Sequence, residues 1–61
     1  MKIKCVKEIS TEYITVGQEY DVNIEDGVVD YRRVGTRIGS YMTVSSLRRG
    51  IDTGAIVVLE E

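Results

Sequence analysis

The chain has no histidine, tryptophan, phenylalanine or proline among its 61 residues, and one cysteine. Without histidine there is no Ser-His-Asp or Cys-His arrangement and no side chain whose ordinary pKa lies near neutrality. Cys5 alone closes no intramolecular disulfide, which fits a reducing compartment, and without histidine it completes no four-ligand zinc set. The glycines at 17, 27, 35, 39, 50 and 54 match neither nucleotide-cradling spacing, so neither cofactor nor metal is expected. No apolar run approaches the roughly 20 residues that span a bilayer. Residues 1–7 interleave lysines with apolar positions and lack the continuous apolar core of a signal peptide, which predicts a cytoplasmic protein. The one adjacent carboxylate pair, Glu25 and Asp26, precedes Gly27 and reads as a hairpin turn rather than an acid–base pair. A chain this short supports one core, so residues 1–61 are expected to form a single domain without enzymatic activity.

What is present favours strands. Valine and isoleucine supply 16 residues against 3 for leucine and alanine, and five threonines raise the β-branched count to 21. Residues 18–25 alternate strictly, with Tyr20, Val22 and Ile24 on the inward face. A first strand over 2–8 turns Ile3 and Cys5 inward and Lys2 and Lys4 outward, and its broken alternation at Val6 marks a bulge. Ser10, Thr11 and Glu12 read as a loop, and residues 13–17 lead into the second strand with Gly17 at a turn. Asp26-Gly27 signals a hairpin to a third strand over 28–34, with a fourth over 40–44. The run Ser45 to Gly50 predicts one helical turn ended by Gly50. Asp52-Thr53-Gly54 is a further turn, and residues 55–59 form the closing strand. The expected class is all-β: a small five-stranded antiparallel barrel with one short helical turn before the last strand, closed so that no edge is left open. With no phenylalanine or tryptophan, tyrosines must help fill the core, Tyr20 first. Met42 and Leu47 are expected as core or barrel caps, and Cys5 as a small buried hydrophobe.

The stretch from Ile14 to Val22 looks like the entry to the second strand of the SH3-like barrel. Glu25-Asp26-Gly27 resembles its hairpin, Tyr31-Arg32-Arg33-Val34 its next strand, and Val44-Ser45-Ser46-Leu47 its helical turn. The early aromatic pair, the third-strand tryptophan and the proline of proline-recognising SH3 domains are all missing, so a PxxP groove is not expected. The Val-Gly-x-x-Tyr-x-Val run and the Glu-Asp-Gly-x-x-x-Tyr-Arg run are similar to those of small stand-alone SH3-like proteins of phage and prophage genomes. That resemblance implies an accessory protein that binds and modulates a host protein.

Charge is segregated along the chain although the net charge is only −2. Residues 1–7 carry three lysines, 8–31 seven acids and no base, and 32–51 five arginines and no acid. Arginine suits fork-like recognition of carboxylate or phosphate. For Arg32 and Arg33, beside the hairpin, the plain alternative is cross-sheet pairing with the acidic second strand, at about 0.2–1 kcal/mol a pair. Arg37, Arg48 and Arg49 come from other loops. The expected contact set for a protein partner with an acidic surface is Arg37, Tyr41, Arg48 and Arg49, with Arg32 and Arg33 second. Two rival readings stand beside it. One is a single-stranded nucleic-acid binder, against which a pI of about 5.0 weighs. The other is a homo-oligomer that completes its core across an interface.

Overall fold

Asp26 and Gly27 both hold positive φ, 52° and 76°. Two consecutive such residues make a tight turn whose twist matches the strands it joins. It links β2 (Glu19–Glu25) to β3 (Val28–Arg33), sets Glu25 opposite Val28, and so places Asp21 opposite Arg32. This computed structural model describes residues 1–9 and 14–61; the loop expected at 10–12, and Tyr13, lie outside the described residues. β1 (Lys2–Cys5) pairs with the free side of β2, and β4 (Gly39–Thr43) with that of β3. β5 (Ile56–Glu60) lies beside β1. All neighbours are antiparallel, in the order β4-β3-β2-β1-β5.

The expected barrel closure is not formed. β4 and β5 stand at opposite margins of one sheet and do not pair with each other among the described residues. The chain between them is a full helix, α1 (Val44–Asp52), which packs on β3, β4 and β5 and covers the core where strand pairing would have closed it. Its length also corrects the single turn expected over 45–50. The start lies at Thr43, whose Oγ1 accepts the Ser46 N–H at 3.1 Å. Gly50 does not end the helix but lies buried within it. The stop comes at Gly54, whose φ of 80° lets its N–H reach the Ile51 carbonyl at 3.1 Å and the Ala55 N–H reach the Gly50 carbonyl at 2.9 Å.

β1 is shorter than the 2–8 expected. At Val6, where the alternation breaks, the N–H groups of Val6 and Lys7 both point to the Ala55 carbonyl, at 2.8 and 3.4 Å. The inner face buries Ile3, Cys5, Tyr20, Val22, Val29, Tyr31, Met42, Leu47 and Ile56 in one cluster. Tyr20 and Tyr31 meet edge to face, with ring centroids 6.0 Å apart. The Tyr20 hydroxyl accepts the Thr15 N–H at 2.7 Å, tying the segment before β2 to the core. Met42 and Leu47 are buried as expected. Ile24 is not: it is 45% exposed, because α1 flanks it across an open groove instead of covering it. No helix among the described residues is long and apolar enough to cross a membrane.

Candidate functional site on the outer face of the sheet

Register decides what the outer face displays. On β2 it shows Asp21 and Asn23, on β3 Asp30 and Arg32, and on β4 Gly39 and Tyr41. Rows of partners run across the strands. Glu60, Lys2, Asp21 and Arg32 follow one another with alternating sign, so groups segregated in sequence are interleaved in space. Among the described residues the ion pair formed is Lys2–Glu60, at 3.6 Å on the exposed surface, a contact of small energetic weight.

The expected pairing with the acidic strand is met in register by Arg32 alone, while Arg33 stands opposite Tyr20, and neither forms an ion pair with a described residue. Arg32 faces Asp21 across the ladder without an ion pair between them. Arg33 is half-buried and donates from Nε to Gln18 Oε1 at 3.1 Å, so it is partly engaged within the fold.

On the other side of Arg32 the partner is Gly39. A Cβ there would overlap the Tyr31 carbonyl oxygen and lie 2.9 Å from the Arg32 Cα, so β4 approaches β3 too closely for any side chain. Beside this close approach lies a depression of about 80 Å³ bounded by Asp30, Arg32, Arg37, Ser40 and Tyr41. Arg37 reaches its rim from the β3–β4 loop. There the Thr36 hydroxyl donates to the Arg33 carbonyl and accepts the Ile38 N–H, each at 3.0 Å. Tyr41 is 68% exposed, the largest exposure among the apolar residues described. A wider groove of about 400 Å³ adjoins through Asp30 and Arg32 and extends past Asp21 and Arg33 to the N-terminus. The Met1 ammonium donates there to the Val22 carbonyl at 3.2 Å.

Three of the six residues read from the sequence, Arg32, Arg37 and Tyr41, thus share this face, while Arg33, opposite Tyr20, follows the inward phase and reaches only the adjoining groove. Arg48 and Arg49 do not join them. They project from α1 in two directions, Arg48 beside Ile24 and Ile51 and Arg49 beside Ser45 and Ser46. Asp21, Asn23 and Asp30 belong to the face and were not singled out by sequence. Asp21 had a signal, since counting outward from the two-residue turn sets it against Arg32. Asp30 had none, because its place beside Tyr41 depends on the geometry of the β3–β4 loop.

Cys5 is buried, and its Sγ donates to the Lys7 carbonyl at 3.0 Å. Removal from water pushes its thiol above the ordinary 9.0, the opposite of what activates a nucleophile. No group of three or more potential metal ligands gathers among the described residues. The face offers an exposed aromatic ring, guanidinium groups and carboxylates over a shallow surface. The chain matches no protein-family model, no curated protein and no solved structure.

Proposed function

We propose that this chain is a non-enzymatic protein-binding module of SH3-like topology, an accessory protein of the phage or prophage type. It engages a host protein in the cytoplasm through the outer face of β2, β3 and β4. The observation that carries this reading is Tyr41, most of its surface in water, sharing one shallow depression with Arg32 and Arg37. Tyrosine and arginine are enriched among the residues that carry binding energy at protein interfaces, tyrosine for its large, stiff ring with a polar tip and arginine for its planar guanidinium on an apolar stem. The strand order, with β5 beside β1 and a helix before β5, supports the SH3-like reading, as does the resemblance of Glu25-Asp26-Gly27 and Tyr31-Arg32-Arg33-Val34 to that fold. Asp21 and Asp30 on the same face favour a protein carrying both signs of charge over a polyphosphate strand.

The test is affinity capture from bacterial lysate with the tagged wild type and with Tyr41→Ala and Arg37→Ala, each eluate divided and treated with nuclease. A stoichiometric protein that survives nuclease, and is retained about tenfold less by either variant, is the expected result. Equal capture by all three proteins would reject the face, and loss of the bound material on nuclease treatment would reject the protein partner in favour of nucleic acid.

A further inference from the structure

A second surface lies away from the sheet's outer face, where α1 runs past the tip of the β2–β3 hairpin. Its groove, of about 330 Å³, has an apolar floor of Ile24, Val44, Leu47 and Ile51. Leu47 is buried beneath it, but Ile24 is 45% and Ile51 37% exposed. Isolated exposed aliphatics are ordinary on a small protein, whereas here two, with the half-buried Val44 beside them, share one depression and leave an apolar patch in water. The rim carries one charge of each sign, Arg48 and Asp52, one helical turn apart on α1. They form no ion pair with each other or with any other described residue. Arginine placed four residues before an acid is also the weaker order for pairing within a helix.

This pattern is complementary to itself. A two-fold axis sets residue i of one copy against residue j of the other and j against i. If two α1 helices pack antiparallel about an axis passing between Arg48 and Asp52, each Arg48 meets the second copy's Asp52. The rise of about 1.5 Å per residue separates the two positions by about 6 Å along the helix, so both pairs form together at the rim. Ile51 lies one residue from the axis, so the two copies' Ile51 side chains face each other across it. An unlike partner would need its own matched cation and anion at that spacing; a second copy supplies them without further assumption.

We infer that the α1–Ile24 groove is a homodimer interface, with two copies packed antiparallel across a two-fold axis and held in register by reciprocal Arg48–Asp52 pairs. This surface is separate from the Tyr41 face, so a dimer presents two such faces, and the failure of either idea leaves the other standing.

Sedimentation equilibrium or size-exclusion chromatography with light scattering, over micromolar to millimolar protein, tests it. Wild type should pass with concentration from the 6.9 kDa chain mass to twice that value. Arg48→Asp and Asp52→Arg, each placing like charges opposite one another, should raise the dimer dissociation constant about tenfold or more. The combined Arg48→Asp/Asp52→Arg protein should recover wild-type dimerisation, since the reciprocal pairs are restored with their signs exchanged. Ile51→Glu, at an exposed position, should be monomeric with an unchanged circular dichroism spectrum, and Ile24→Lys gives the same reading from the hairpin side if that variant fails to fold. Wild type that stays monomeric at millimolar concentration would overturn the interface and leave the groove to an unlike partner. A dimer that survives Ile51→Glu and Ile24→Lys, or a double charge exchange that fails to recover association, would overturn the proposed packing.

Discussion

Gly50 lies against Ile56 so closely that a Cβ on the glycine would stand 2.5 Å from the isoleucine Cδ1 and 3.0 Å from its Cγ1. This is the contact through which α1 settles onto β5, and both residues are buried.

Gly50→Ala sets two effects against each other. Alanine in a helix interior gains about 1 kcal/mol over glycine. Forcing a methyl group into a packed core costs about 1–3 kcal/mol. The atoms in the way belong to a side chain buried in the core cluster, so the overpacking term should win and thermal unfolding should move down by several degrees. Ile56→Val removes Cδ1, and the double variant Gly50→Ala/Ile56→Val should lose less than the two single losses added together. Strict additivity would show that the two residues are not coupled.

Gly39 poses a harder limit. The atoms its Cβ would strike are backbone, the Tyr31 carbonyl oxygen and the Arg32 Cα, and they cannot turn aside as a side chain can. Gly39→Ala should loosen the β3–β4 ladder, at about 2 kcal/mol or more. Amide exchange at β4 should accelerate ahead of exchange in β1 and β2. Equal protection across all strands in the variant would refute the close approach.

Thr43 ends β4 and caps α1 through its Oγ1, which accepts the Ser46 N–H. Thr43→Ala should cost about 1 kcal/mol and Thr43→Ser very little, because serine keeps the accepting oxygen. For a domain of this size the alanine loss corresponds to about 4–8 °C in the unfolding midpoint. Chemical denaturation of both variants distinguishes a capping role from a packing role, since packing alone would penalise serine as well.

Burial pushes the Cys5 thiol above 9.0, so the folded state disfavours the thiolate. The unfolded chain then gives up its proton at lower pH than the folded one. The stabilising effect of the neutral thiol is complete below about pH 9 and is lost as pH rises through the folded value. Urea midpoints should fall between neutral pH and pH 10 more steeply for wild type than for Cys5→Val. A thiol reagent should modify the native protein only through opening of the fold, with rapid labelling in denaturant. Fast labelling of the native state would contradict the burial.

Much of the fold was legible because strand chemistry acts over short distances. Alternation in 18–25 places Tyr20 and Val22 inward on whatever sheet the strand joins, and Asp26-Gly27 admits few turns other than the one observed. Ile3 and Cys5 follow from the same period of two. The reading went wrong where a local signal has two physical meanings. A glycine after Arg48-Arg49 marks either the end of a helix or a place where a helix touches a strand, and only the presence of Ile56 opposite it decides between them. Ile24 keeps the inward phase, yet its exposure depends on how far α1 extends over the sheet.

The candidate contact residues divide in the same way. Composition and order along the chain determined that five arginines occupy the second half, that no histidine chemistry is available, and that the hairpin register sets Asp21 against Arg32. Tertiary structure alone decided that Arg32, Arg37 and Tyr41 share one face while Arg48 and Arg49 leave it on a helix. It also decided that β4 and β5, at the two margins of the sheet, do not pair with each other among the described residues, with α1 lying over the core. The reason is range: side-chain period and turn chemistry are set by residues a few positions apart, whereas the meeting of β3, β4 and α1 depends on packing between segments that carry no mark of one another in sequence.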